Sequence, residues 1–305
     1  MQRVNKNSPV LTNLILPLIT MFLWGSLFPF IKIGYKVFKI NTDSVADILM
    51  FASLRFVICS IIVCLTAFFS KANKPSASGV FSACVIGIFS VSLHYGFTYA
   101  GLSLTDSSKT AILKQAAPLL FACFSFLLFK EERFSLNKIL GALIGFCGIV
   151  SINAGASFKW LALGDTLIIS ASVCTVISMI ISGKAAKGTS PLWITGISQL
   201  FGGSVLLIIS LAMGGKVYRA TVKLILVFAY ICIASIIGYT LFYYVQRTAE
   251  LSRLFIIKFA EPLFACVFSA FLLGENIMRV QYLIAFILIS VGIVIANTQK
   301  SNKHI

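Results

Sequence analysis

Two long apolar stretches of the chain repeat one another. Residues 111–132 read AILKQAAPLLFACFSFLLFKEE, and residues 255–276 read FIIKFAEPLFACVFSAFLLGEN. Each stretch carries a lysine four residues before a proline. When residues 95–153 are placed on residues 239–297 without a gap, 16 of 59 positions are identical. Because self-similarity at a fixed offset indicates a duplicated unit, the chain is predicted to consist of two related halves.

The composition identifies the class of protein. Of the 305 residues, 59% are hydrophobic and 11% are charged, and the mean hydropathy is +0.99. Soluble domains contain about 25% charged residues, so this chain cannot build a water-exposed surface. The formal charge of +16 is spread over short gaps between apolar runs, which is typical of membrane-protein loops. The prediction is an all-α polytopic membrane protein that contacts the lipid bilayer and no nucleic acid.

Ten apolar segments are long enough to be transmembrane helices, since a bilayer requires about 20 apolar residues. They cover approximately residues 11–34, 47–69, 79–102, 109–129, 136–155, 160–182, 192–213, 223–246, 253–273 and 279–297. The duplication assigns five spans to each half, with residues 1–155 and 156–305 as the predicted repeats. Since five is odd, equivalent helices must cross in opposite directions, as in the inverted repeats of secondary transporters. The alternative is a duplicated scaffold without inversion.

The distribution of basic residues predicts the orientation. Thirteen lysines and arginines lie on the side of the two termini and nine lie on the other side. Because cytoplasmic loops carry an excess of basic residues, both termini are predicted to be cytoplasmic. We expect a multi-pass protein of the plasma membrane, of bacterial origin.

Neither a metal site nor a cofactor is predicted. The eight cysteines lie in apolar runs without a C-x-x-C pair, which favours small buried hydrophobic residues over ligands or disulfides. The G-x-x-x-x-G-K-[ST] motif of nucleotide-driven motors is absent from the sequence. An enzyme would require a clustered catalytic set, and the two histidines, His94 and His304, do not supply one.

Several motifs together resemble the drug/metabolite transporter superfamily, and in particular its EamA-type members. Two of these motifs are LWGSLFPFIK at 23–32 and LRF at 54–56. A third is a proline-centred span that ends in an acidic residue, Glu131 in the first half and Glu275 in the second. The span that follows it carries a G…GIV pattern. The resemblance covers nearly the whole chain. It implies ten helices in two inverted five-helix repeats around a central cavity, moving small metabolites without ATP hydrolysis.

Two lysines lie within the predicted membrane spans at equivalent points of the repeats. An ionisable residue at membrane depth is by default a functional hypothesis, so Lys114 and Lys258 are predicted substrate-binding residues. Glu261 is also a predicted substrate-binding residue. It follows Lys258 by three residues, which places both on one helix face, where they could form an ion pair. Three residues after Lys114 the chain has Ala117 instead of a glutamate. Lys114 therefore lacks this partner and is the better candidate to bind an anionic group of the substrate. The alternative for both lysines is snorkelling towards the membrane surface.

Pro118 and Pro262 follow the two lysines at the same distance. A proline inside a helix removes one backbone hydrogen bond and can kink the helix. The two prolines are predicted hinges that free carbonyl groups to line a cavity. The alternative is a kink used only for packing.

His94, Tyr95 and Tyr99 lie in the third span, and Tyr239 and Tyr243 take the matching places in the eighth. A spacing of four puts each tyrosine pair on one helix face. Tyrosines can line a polar cavity and contact apolar or ring-bearing ligands, and a membrane histidine is a hydrogen-bonding or proton-carrying group. All five are predicted substrate-binding residues. The alternative is packing or anchoring at the membrane interface.

The lysines and the histidine resemble the anion sites of phosphate-ester and nucleotide-sugar carriers of the same superfamily. The adjacent Lys–Arg pair of the phosphate carriers is absent, because Phe259 follows Lys258. The resemblance therefore implies an anion-binding cavity and leaves organic phosphate specificity open.

Three further features have two interpretations each. Arg55 in the second span is either a cavity charge or a partner of the headgroup region. Trp24 either lines the cavity or packs the first helix. Gly141 and Gly145 form a G-x-x-x-G pattern that lets another helix approach closely, either within a monomer or in a homodimer.

These features predict a secondary transporter that moves a small organic metabolite with an anionic or zwitterionic group by alternating access. One alternative is an exporter of hydrophobic drugs or surplus amino acids, with structural lysines. Outside the transporter class, the alternative is a lipid flippase or another membrane-embedded protein. No enzymatic activity is predicted.

Overall fold

The computed structural model describes residues 11–104, 110, 113–128, 132, 134–152, 162–216, 222–274 and 280–298. Glu131, Glu275 and His304 lie outside these residues. Every regular element within the described ranges is a helix. The prediction of an all-helical chain is confirmed.

Within these described ranges, ten helices of seven residues or more follow one another. They are α1 (Leu11–Val37), α2 (Val45–Phe69), α3 (Ala77–Leu102), α4 (Ala116–Leu128), α5 (Leu136–Ile152), α6 (Ala162–Gly188), α7 (Pro191–Ala212), α8 (Val222–Val245), α9 (Leu251–Leu273) and α10 (Val280–Asn297). In the described part of the chain, eight of them are long and apolar enough to cross a membrane, and α4 and α5 are shorter apolar helices. Each predicted span coincides with a helix, and the protein is a multi-pass membrane protein.

Local sequence signals set the helix boundaries. The Ser44 hydroxyl accepts from the Asp47 amide at 3.3 Å and caps α2. The Ser76 hydroxyl accepts from the Gly79 amide at 3.2 Å and caps α3. Such side chains satisfy amides that have no partner at a helix start. Pro191 begins α7, where a missing amide hydrogen has no cost.

The outer surface of the bundle is apolar. Phe69, Phe81 and Phe271 expose more than two thirds of their surface, at 76%, 71% and 84%. A water-soluble monomer rarely exposes contiguous apolar surface on this scale. The bundle is therefore built for contact with lipid.

Side-chain contacts identify the helix ends that meet at one face of the bundle, named face A. There Arg247, after α8, donates to the carbonyl groups of Ala186 and Thr189 at 3.0 Å each. Near the start of α5, the side-chain amide of Asn137 donates to the backbone carbonyl of Thr298, after α10, at 3.1 Å. Face A thus holds the C-terminal ends of α6, α8 and α10.

The glycine pattern in the fifth span is used inside the molecule. A Cβ on Gly141 would lie 2.5 Å from the Gly292 carbonyl oxygen, and one on Gly292 would lie 2.8 Å from the Gly145 amide. The backbones of α5 and α10 therefore approach so closely that only glycine fits at these points. Of the two interpretations, packing within the monomer is the one that the structure supports.

Candidate functional site

Both repeated lysines lie at a break in their helix. The α9 helix consists of Leu251–Ile257 and Ala260–Leu273, with Lys258 and Phe259 in a turn between them. In the first repeat, Lys114 and Gln115 form the corresponding turn before α4. Because proline has no amide hydrogen, Pro118 and Pro262 cannot bond the carbonyl four residues earlier, which is the lysine carbonyl in both cases. The shared spacing of lysine and proline thus explains both breaks.

The two breaks are closed in different ways. The Lys258 carbonyl accepts from the Glu261 amide of the same helix at 3.1 Å. The Lys114 carbonyl accepts from the Ser172 hydroxyl of α6 at 2.7 Å, and this hydroxyl accepts from the Ala117 amide at 3.1 Å. A side chain from another helix is therefore inserted into the break of the first repeat.

Lys258 and Glu261 form the predicted ion pair. Lys258 Nζ lies 2.6 Å from Glu261 Oε2, and both side chains are largely buried. The same ammonium lies 4.8 Å from the centre of the Trp24 ring of α1, which is a cation–π contact. A Cβ on Gly238 would lie 2.6 Å from Trp24 Nε1, so this glycine provides the space for the indole.

The Lys114 ammonium has no ion pair and no hydrogen bond to any of the described residues. It interacts electrostatically with Glu261, Tyr95 and Lys258. The two lysines therefore face one shared region, in which only Lys258 is paired with a carboxylate.

His94 of α3 belongs to the same region, because both lysines act on it electrostatically. Its Nδ1 lies 2.9 Å from the Thr175 hydroxyl and 3.1 Å from the Ala171 carbonyl of α6. The Thr175 hydroxyl itself donates to the Ala171 carbonyl at 3.2 Å. A proton on Nδ1 satisfies this arrangement and leaves Nε2 of the neutral ring as a hydrogen-bond acceptor.

A row of aromatic rings connects the charged residues. Trp24 lies 5.2 Å from Tyr239 between ring centres, Tyr239 lies 6.3 Å from Phe56, and Phe56 lies 5.1 Å from Tyr95. Tyr99 continues the row at 5.8 Å from Tyr95. These five rings, named the aromatic wall, come from α1, α2, α3 and α8.

The remaining predicted residues differ in position. Tyr243 shares a helix face with Tyr239, as predicted, with 6.2 Å between ring centres. It is only 3% exposed and lies beside Ser90 and Ser198. Tyr99 reaches Tyr35 of α1. Substrate contact by these tyrosines stays a prediction.

Sequence reasoning did not identify every residue of this region. The sequence allows two roles for Trp24, gives Phe56 only as part of the LRF motif, and carries no signal for Ser172 and Thr175. A signal existed for Trp24, which lies in the LWGS motif. Ser172 and Thr175 look like ordinary helix residues, since one serine or threonine in an apolar span has no distinctive pattern.

Arg55 of α2 lies against the aromatic wall. Its guanidinium carbon lies 4.3 Å from the centre of the Phe56 ring and 5.5 Å from that of Tyr95. The residue is only 2% exposed. Of its two interpretations, the headgroup contact is wrong, because the side chain is enclosed within the bundle.

A buried ionic cluster at face A joins the loop before α5 to the start of α9. Glu132 pairs with Lys138 at 3.0 Å and accepts from both the amide and the hydroxyl of Ser252. Lys138 also pairs with Glu250 at 3.0 Å, and Arg253 pairs with Glu250 at 2.7 Å. Burial alone would raise the pKa of Glu132, but the Ser252 hydrogen bonds and the Lys138 charge outweigh it and hold this pKa below its usual range.

The described residues contain no group of three or more histidine, cysteine, aspartate or glutamate side chains placed to hold a metal ion.

Comparison with known proteins places the chain. The sequence profile of the EamA-like transporter family matches residues 11–154 and again residues 162–298. The chain belongs to the EamA-like transporter family. The expected relation to the drug/metabolite transporter superfamily is thereby confirmed.

Several relatives of this EamA-like protein carry transporter names. It is 25% identical over 275 residues to an uncharacterized transporter of Archaeoglobus fulgidus, covering 87% of this chain and 90% of that one. It is 23% identical to the uncharacterized inner membrane transporter YedA of Escherichia coli K12, and the match covers 86% of this chain and 83% of YedA. A WAT1-related chloroplastic protein of Arabidopsis thaliana is 23% identical, and the match covers 78% of this chain and 60% of the Arabidopsis protein.

A solved crystal structure has a similar fold. It superimposes with a TM-score of 0.75 over 93% of this chain and 95% of the other, at 16% sequence identity. At this identity the likeness concerns the fold alone.

Proposed function

We propose that this EamA-like transporter moves a small organic solute bearing an anionic or zwitterionic group, by alternating access and without ATP hydrolysis. The observation that carries the proposal is the Lys114 ammonium, which is largely enclosed and has no counter-charge of its own among the described residues. A cation in a membrane bundle is costly unless an anion joins it. The substrate's anionic group supplies that anion.

The neighbouring residues receive the rest of the solute. Lys258 and Glu261 both act electrostatically on Lys114, so in this proposal Glu261 accepts from the ammonium group of a zwitterion. The aromatic wall contacts its apolar part. His94 is held by Thr175 and Ala171 and offers one further hydrogen-bonding nitrogen.

The proposed cycle uses the sequence duplication. In this proposal the halves 1–155 and 156–305 are inverted repeats that rock against one another, with Pro118 and Pro262 as hinges. The ionic cluster at face A ties the first half to α9 of the second half. It must separate when that face opens. In this proposal both termini are cytoplasmic and the protein acts in the plasma membrane. Its activity is transport without catalysis.

Transport by purified protein in liposomes tests the proposal. Accumulation of radiolabelled metabolites is measured for the wild type, for Lys114→Gln and for Lys36→Gln, an exposed lysine at the end of α1 that serves as the control. Because Lys114→Gln loses a charged hydrogen bond to the substrate, we expect it to take up the anionic substrate at least about tenfold more weakly than the wild type. Wild-type transport by this variant would remove Lys114 from the site.

One observation favours the second candidate, an exporter of hydrophobic compounds. The aromatic wall is a continuous row of rings, and such surfaces bind apolar ligands without a charge. If uncharged aromatic compounds are transported equally by the wild type and by Lys114→Gln, the exporter describes the protein better.

A further inference from the structure

Arg55 is a buried cation that has no hydrogen-bonding or ionic partner among the described residues. Its side chain is 2% exposed, and the guanidinium makes no hydrogen bond and no ion pair with the described residues. Its Nε is fully enclosed and unpartnered. A guanidinium has five N–H donors and is always charged. Leaving such a group unpaired costs several kcal/mol.

The surroundings of Arg55 offer only partial compensation. They consist of the faces of Phe56 and Tyr95, the phenols of Tyr99 and Tyr239, and the thiol of Cys59. All of these groups are neutral in their ordinary form. Cation–π contacts attract the charge but leave the N–H donors unsatisfied. The surroundings of Arg55 therefore suit a guanidinium that forms hydrogen bonds with an anion.

A lipid headgroup cannot be that anion. Arg55 lies ten residues beyond Val45, the start of α2, which is about 15 Å along the helix. The aspartate of the same helix, Asp47, accepts instead from the amide of Lys216 at 3.0 Å. An anion that pairs with Arg55 must therefore bind within the bundle.

Arg55 shares a neighbour with the lysine site. Tyr95 lies under the Arg55 guanidinium and also interacts with Lys114. The aromatic wall continues from Phe56 to Trp24, above which lies Lys258. Three cations thus lie near one wall, and Glu261 is the carboxylate that acts on two of them, Lys258 and Lys114. Among the described residues of this region, the formal charge of the three cations exceeds that of Glu261 by two.

We infer that Arg55 is a second anion-binding residue of the transport site and that the substrate is a dianion, either a dicarboxylate or a phosphate monoester. The inference rests on the proposed function. In it, Lys114 and Arg55 bind the two negative charges, and the guanidinium fork takes one of them through paired hydrogen bonds. A monoanion or a zwitterion leaves at least one buried cation unpaired and binds more weakly.

Ligand-dependent thermal stability of the detergent-purified protein tests the charge requirement, because a ligand that binds the folded state raises the melting temperature. The probes are succinate against its monoamide succinamate and 4-aminobutyrate, and glycerol 3-phosphate against glycerol. We expect at least one dianion to bind about ten- to a hundredfold more tightly than its less charged analogues. The two series distinguish carboxylate from phosphate chemistry.

Variants assign the preference to Arg55. Arg55→Gln is expected to bind the dianion about as weakly as the monoanion, whereas Arg55→Lys retains part of the preference. Arg247→Gln is the control, because Arg247 bonds carbonyl groups at face A. If Arg55→Gln does not fold, Arg55→Lys still tests the residue, since loss of the paired hydrogen bonds should weaken dianion binding.

Three results would overturn the inference: equal protection by dianions and their analogues, no protection by either dianion, or an unchanged preference in the Arg55 variants. Transport of a monoanion or zwitterion that still depends on Lys114 would leave the proposed function standing while this inference fails. Anion transport that is insensitive to Lys114 would count against the proposed function itself.

Discussion

The Ser172 hydroxyl donates to the Lys114 carbonyl at 2.7 Å and so replaces the hydrogen bond that Pro118 cannot make. The same hydroxyl accepts from the Ala117 amide at 3.1 Å. The position of Lys114 therefore depends on α6 as well as on its own helix, whereas the second repeat closes its break within α9.

Removing this hydroxyl is expected to loosen the first break. Ser172→Ala leaves the Lys114 carbonyl and the Ala117 amide without a partner, which costs about 1–3 kcal/mol. Ser182→Ala is the matched control on α6, because its hydroxyl bonds only the Met179 carbonyl of the same helix at 3.1 Å. Thermal unfolding in detergent should show the larger loss for Ser172→Ala; equal losses would mean that the inserted hydroxyl has no special role.

The Lys258–Glu261 pair is expected to be strongly coupled. Removing one partner leaves the other without its 2.6 Å contact, while removing both leaves neither member of the pair behind. Lys258→Gln and Glu261→Gln should each destabilise the protein by more than the double variant, with a coupling of about 1–3 kcal/mol. A double-mutant cycle from thermal unfolding measures this coupling. Additive single effects would show that the 2.6 Å contact does not contribute to stability.

Close packing of α1 against the site predicts a sensitive glycine. A Cβ on Gly25 would lie 2.5 Å from Phe264 Cβ and 2.9 Å from the Glu261 carbonyl oxygen. Gly25→Ala should push α1 away from the Lys258–Glu261 pair and lower both thermal stability and transport. Gly96→Ala is the control, because nothing lies within 4 Å of its Cβ position and alanine favours helix by up to about 1 kcal/mol. A tolerated Gly25→Ala would contradict the packing described.

The ionic cluster at face A predicts a pH dependence. The folded-state pKa of Glu132 is lower than its usual value, so Glu132 stabilises the protein above about pH 4.3, the ordinary glutamate pKa. This contribution is lost as the pH falls through the folded-state pKa. Melting temperatures from pH 7 down to pH 3 should therefore fall less steeply in Glu132→Gln than in the wild type.

Asp43→Asn is the control for this measurement, because Asp43 is exposed in the loop after α1. Its pH profile should follow that of the wild type. A Glu132→Gln profile parallel to the wild type over the whole range would mean that another group causes the acid sensitivity. In the second repeat, the places of Glu132 and Lys138 hold Asn276 and Tyr282, which cannot form the same ion pair.

Helix periodicity and apolar content predicted much of the fold. Every span coincides with a helix because burial in lipid requires continuous hydrogen-bonded helices of a fixed length. The Lys258–Glu261 pair was also predictable, since a spacing of three residues is a local property of a helix. The G-x-x-x-G motif predicted a close approach, but only the packed α5 and α10 helices showed that both partners belong to one chain.

The sequence by itself determined the membrane class, the duplicated halves and the register of lysine and proline, because these depend on composition and on distances along the chain. The tertiary structure alone decided which helices meet at each break. Ser172 bonds Lys114 across 58 positions of sequence, and Arg55 lies against Tyr95 of another helix without any carboxylate partner among the described residues. Such contacts depend on how separate helices pack, and no local pattern of residues specifies them.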